Sequence, residues 1–170
     1  MVQGKRFTKI KDKGTKLEIR WEQPVGGNYD ANQCDLKSAI SPHPDFRSAM
    51  QDLVTYWQQM LDLDERYAQD VKLHSLQISW KDRQISGAIL TGAKPVSSTQ
   101  NPAVFSTPSG ASLPAGADEA IRKVCQEAAL YLEGKNGEED LFDDPDEGQT
   151  VEAEAEIETT ATAQLEPANA

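Results

Sequence analysis

Seven basic side chains, Lys5, Arg6, Lys9, Lys11, Lys13, Lys16 and Arg20, stand in the first twenty residues against only Asp12 and Glu18. Such a surface contacts phosphates and releases their counterions. Lys5, Arg6, Lys9, Lys11, Lys13 and Lys16 are the candidate polyanion-binding residues, and binding through them is expected to weaken with salt. If Thr8 and Ile10 turn inward on a strand, Lys9, Lys11 and Lys13 project together from the other side. Lysines on an edge strand also block edge-to-edge aggregation, and the pattern alone leaves both readings open.

Metal chemistry would have to draw on Cys34, Cys125, His43 and His74. These four follow neither a Cys-x-x-Cys nor a His-Glu-x-x-His spacing. Cys125 falls in a helical apolar stripe, and His74 falls on a strand face shared with apolar residues. No metal and no cofactor is expected. The chain has no Gly-x-x-x-x-Gly-Lys-Ser/Thr loop and no Gly-x-Ser-x-Gly turn. Asp62 and Asp64 sit where a helix ends, a common place for solvated carboxylates. No nucleophile, base and oxyanion donor can be assembled, so no catalytic residue is assigned and the protein is read as a non-enzyme.

The second candidate lies near the far end, where Leu141 and Phe142 interrupt the run Glu138-Glu139-Asp140 and Asp143-Asp144-Pro145-Asp146-Glu147. An apolar pair in an acidic run suits docking onto a basic, hydrophobic groove of a partner. It also suits a purely solubilising tail, or one that folds back onto the basic hairpin.

Charge divides the chain. The net −11 comes from residues 135–170, which hold twelve Asp or Glu and only Lys135 as a base; residues 1–134 are formally neutral. The tail has too few large apolar residues to offset its ordering entropy and is predicted to be disordered. A body of this size builds its own core. Domain boundaries are therefore placed at 1–134 and 135–170.

Within the body, Leu17, Ile19 and Trp21 alternate with Glu18, Arg20 and Glu22, the period of a half-buried strand. With a strand over 5–11 and the turn Asp12-Lys13-Gly14, they make a hairpin. A third strand is expected within 29–40. Ser41-Pro42-His43-Pro44-Asp45 starts a helix reaching about Leu61, with Phe46, Met50, Leu53, Trp57 and Leu61 on one stripe. Two strands follow, around Leu76-Ile78-Trp80 and over 85–93, joined by a turn at 81–84; Gly87 marks a bulge or a close backbone approach. A short strand over 103–107 precedes a last helix striped by Ile121, Val124, Cys125, Ala128 and Leu132, with Gly134 placed as its C′ cap. The expected fold is α+β: an antiparallel sheet of five to six strands with two helices on one face.

Two cysteines are too few for a disulfide framework, and the stretch MVQGKRFTKIKDKG holds no apolar signal core. No run approaches the roughly 18 apolar residues of a membrane span. A cytoplasmic protein is expected.

The chain resembles a family of small uncharacterised bacteriophage and prophage proteins. The resemblance rests on Lys16-Leu17-Glu18-Ile19-Arg20-Trp21-Glu22, Leu36-Lys37-Ser38, Pro42-His43-Pro44-Asp45-Phe46 and Tyr131-Leu132-Glu133-Gly134-Lys135, and it covers nearly all of 1–135. It implies expression in a bacterial host and action by binding, with no functional residue carried over. The leading expectation is therefore a non-catalytic accessory that binds a host or phage protein. The alternatives are a nucleic-acid-binding accessory of phage replication or recombination using the basic hairpin, and a sponge for a nucleotide signal. The sequence does not read out an oligomeric state.

Overall fold

The computed structural model describes residues 2, 4–24, 31–96 and 101–137. The expected tail, with Leu141 and Phe142, lies outside them. Six strands form one antiparallel sheet: β1 (Arg6–Asp12), β2 (Leu17–Pro24), β3 (Ala31–Ser38), β4 (Lys72–Lys81), β5 (Gln84–Lys94) and β6 (Ala103–Ser106). Their spatial order is β3-β2-β1-β4-β5-β6, two three-stranded meanders joined where β1 pairs β4. Between β3 and β4 run the helices α1 (Pro44–Asp52), α2 (Val54–Met60) and α3 (Glu65–Ala68); α4 (Ala117–Leu132) follows β6.

One apolar row crosses five strands, because Leu36 is opposite Ile19, Ile19 opposite Ile10, Ile10 opposite Leu76 and Leu76 opposite Leu90. Phe46, Met50, Leu53 and Trp57 of the α1–α2 segment join it in one core with Ile121, Val124 and Ala128 of α4. The row sits on the helix-covered face, so the residues between its members point the other way.

The helix expected as one piece to Leu61 is broken at Leu53, whose N–H bonds to Met50 O three residues back instead of holding the α-helical spacing. The apolar stripe survives the break: Leu53 and Trp57 are both buried. Thr8 is not a core residue. A β-bulge between Phe7 and Lys9 inserts one residue, which brings Phe7 and Ile10 inward and leaves the Thr8 hydroxyl bonded to Arg20 O at 3.3 Å.

Local chemistry fixes the element ends. Asp82 and Arg83 both take positive φ, 49° and 66°, as a two-residue hairpin turn of matching twist requires. Gly134, at φ 115°, closes α4 with Lys135 N bonded to Leu130 O and its own N–H to Tyr131 O, the Schellman arrangement. The chain then runs three residues further against the body. Asn136 bridges Pro42, Gly137 N bonds to Ser41 O at 3.0 Å, and Lys135 Nζ reaches Asp45 at 2.7 Å and Glu127 at 3.1 Å.

No helix among the described residues is long and apolar enough to cross a membrane.

Candidate functional site

The face of the sheet turned away from the helices carries two polar rows. Asp35, Arg20, Lys9, Gln77 and Ile89 lie in register across β3, β2, β1, β4 and β5. One pleat along, Lys37, Glu18, Lys11, Ser75, Thr91 and Ser106 cross all six strands. One half of the face is thus charged and the other neutral, rich in hydroxyl and amide groups.

The charged half is a lattice, not a cationic patch. Arg20 Nε is 2.6 Å from Asp35 Oδ1, Lys13 Nζ is 2.6 Å from Glu18 Oε1, and Arg6 Nη1 is 3.3 Å from Glu22 Oε2. The Lys13 hydrogen bond, with the nearby charges of Lys13, Lys37 and Lys11, holds the Glu18 carboxyl below the usual carboxylate range against a smaller opposing effect of burial. Lys5, Lys9, Lys11, Lys16 and Lys37 form no ion pair among the described residues.

The six candidate cations therefore separate along the hairpin. Lys9 and Lys11 share the open face, and Lys13, although in the turn, reaches back to Glu18 beside them. Lys16 sits across that turn, its carbonyl accepting from Lys13 N. Arg6 lies at the other end of β1, and Lys5 just before it in an isolated bridge with Val2. Seven strand residues span about 20 Å, so these ends do not form one site. Lys37 and Asp35 complete the lattice from β3. Their alternation around Leu36 carried the signal, but only the pairing of β3 with β2 brings them beside the hairpin.

The four potential metal ligands fall on separate elements. His43 caps α1, its Nδ1 accepting from Asp45 N at 3.2 Å, with Pro44 as the first helical residue. His74 occupies a bulge between Leu73 and Ser75 in β4. Cys34 faces Trp21 across β3 and β2. Cys125 is buried in α4, and burial pushes its thiol pKa up to about 12, away from the reactive thiolate. Compared with protein-family models, curated proteins and solved structures, the chain matches none of them.

Proposed function

We propose that the protein acts by binding a protein partner on the open face of its sheet. The observation that carries this is the charge lattice itself. Lys9, Lys11 and Lys37 hold charge free for a ligand, while Glu18 and Asp35 between them would repel a continuous phosphate backbone. A partner surface with its own spaced carboxylates fits this lattice, with groups that hydrogen-bond Gln77, Thr91 and Ser106 beside them. The likeness to small phage-encoded proteins directs the search toward host and phage proteins, with an accessory, non-catalytic role. The test is affinity capture with the full chain, comparing wild type, Lys9→Glu/Lys37→Glu and the α4 control Arg122→Glu. A partner captured by wild type and the control but lost from the sheet variant supports the reading. A partner retained by all three overturns it.

A second reading, polyanion binding, is favoured by the absence of any ion pair to Lys5, Lys9, Lys11 and Lys16 among the described residues. It requires mobility shifts of nucleic acid that vanish as salt rises and weaken in Lys9→Glu/Lys11→Glu. No shift at low salt eliminates it.

A further inference from the structure

The sheet has two outer strands, and they are protected differently. β3 carries Asp35 and Lys37, charges of the kind that discourage pairing with a further strand. β6 reads Ala-Val-Phe-Ser, with neither charge nor proline. Val104 is 59% exposed and Phe105 46%. With Tyr67, at 51%, they are three of the four exposed large apolar side chains among the described residues. Tyr67 belongs to the same edge. Lys94, opposite Ala103 of β6, donates from Nζ to Arg66 O at 3.2 Å and to Tyr67 O at 3.3 Å, and lies 5.8 Å from the centre of the Tyr67 ring.

The backbone of that edge is unpaired on one side. Thr107 N bonds to Leu90 O at 2.9 Å, which makes these two a hydrogen-bonded pair. Such pairs alternate along an antiparallel ladder, so Gly92 and Phe105 form the next one. Val104 and Ser106, on either side of Phe105, therefore turn their N–H and C=O groups away from β5, where no strand of the described residues lies. The strand itself is held in place. Leu90 N donates to the buried Thr107 Oγ1 at 2.9 Å, and Trp57 Nε1 donates to Phe105 O at 3.4 Å, with the Trp57 and Phe105 rings edge to face at 6.4 Å.

We infer that β6 is a pairing edge whose occupant is β6 of a second copy of this chain, joined antiparallel about a two-fold axis at Phe105. In that register Val104 lies opposite Ser106 of the second copy, and Ser106 opposite its Val104, so every outward N–H and C=O of these residues finds a partner. Phe105 meets Phe105 of the second copy in the closely spaced, non-hydrogen-bonded position, which suits an aromatic pair. No charge on either strand opposes the contact. Pairing β6 with β3 of another copy would set an apolar strand against Asp35 and Lys37 and leave a free edge at each end; β6 with β6 uses up the edge and closes. The two-fold axis, perpendicular to the sheet, turns both open faces to one side, so the dimer presents two charge lattices together. The assignment concerns the edge of the sheet and stands without the reading of its face.

The test is sedimentation equilibrium of the full chain over a concentration series, comparing wild type with Val104→Lys and Asn32→Lys. Each substitution adds one positive charge at an exposed position, the first on β6 and the second on β3. The wild-type mass is expected to rise with concentration toward twice the 18.7 kDa of one chain. Asn32→Lys should follow it, while Val104→Lys stays at the mass of one chain over the same range. A wild type that is monomeric throughout, a dimer that survives Val104→Lys, or equal loss in both variants overturns the assignment. Amide hydrogen exchange of wild type reads the register without relying on the folding of any variant. The Val104 and Ser106 amides should exchange more slowly as concentration rises, whereas that of Phe105, already bonded within the sheet, should not change. Exchange at Val104 and Ser106 that is independent of concentration overturns pairing through β6.

Discussion

Two glycines in β5 show how space at a single residue decides tolerance. A Cβ at Gly92 would lie 2.8 Å from Val71 Cγ1 and 3.1 Å from Leu73 Cδ2, with Trp57 just behind. One at Gly87 would meet only Ser79 Cβ, at 4.0 Å. Gly92→Val is therefore expected to cost on the order of 1–3 kcal/mol through overpacking, whereas Gly87→Ala leaves stability nearly unchanged; urea denaturation of both variants measures the difference. The sequence marks Gly87 as a bulge or a close backbone approach. A bulge does lie beside it, since Ser79 pairs Gly87 and Trp80 pairs Ile85 with Ser86 left over, whereas the close approach is at Gly92. Nothing local separates the two, because the atoms crowding Gly92 come from α2 and the start of β4. The half-buried tryptophans offer a second comparison. Trp80 Nε1 donates to Phe7 O at 2.7 Å, while the buried Trp21 Nε1 has no partner. Replacing each with Phe removes similar volume, but only Trp80→Phe breaks a hydrogen bond, worth about 1 kcal/mol. Trp80→Phe should be the less stable of the two by roughly that amount, and equal midpoints would refute the distinction.

At the scale of elements, the strand periods and cap residues of the sequence correspond to what forms. The Leu17-Ile19-Trp21 alternation is β2, the 81–84 turn joins β4 to β5, and Gly134 closes α4. Two other breaks in period were not legible. The bulge at Thr8 and the tightened turn at Leu53 involve no proline or glycine, so composition does not announce them. The three residues after Gly134 are equally silent in sequence, carrying no apolar period. Their role comes from α1, whose start they meet: Lys135 pairs with Asp45, and Gly137 bonds to Ser41. Truncation after Gly134 also removes Lys135 N, which completes the Schellman closure at Leu130 O. We expect both truncations to fold, with the chain ending at 134 melting several degrees below the one ending at 137, as a loss of about 1 kcal/mol implies for a domain of this size. Coincident thermal midpoints would show that the α1–α4 tie contributes nothing.

For the molecule as a whole, charge decides how stability responds to pH. Hydrogen bonds from Lys135 to Asp45 and from Lys13 to Glu18 hold these carboxyls below their ordinary values of 3.8 and 4.5. The folded state thus favours their ionised forms. That contribution is complete above the ordinary values and is lost as pH falls through the lowered ones. Cys125 behaves oppositely: burial raises its thiol from 9.0 to about 12, so its contribution is complete below pH 9.0 and declines as pH rises toward the folded value. Lys123 and Lys135, raised above 10.5 chiefly by hydrogen bonds to Asp52 and Asp45, add to the same alkaline loss. Denaturation midpoints measured across pH should form a plateau bounded by an acid and an alkaline decline, with Cys125→Ala delaying the alkaline one. A midpoint still climbing above pH 9.0 would contradict this assignment.

The α+β class, most of the strands and helices, the caps and the uneven distribution of charge can be read from the residues in order. Each of these depends on neighbours a few positions apart, so a linear pattern records it. Long-range strand pairing sets the strand order, which places β1 between β2 and β4 and surrounds its lysines with Glu18, Asp35 and Lys37. It also leaves β6 at the edge of the sheet, with Val104 and Phe105 exposed. The reason is that strand pairing brings together side chains far apart along the chain, and their combined field belongs to the register and not to any one segment.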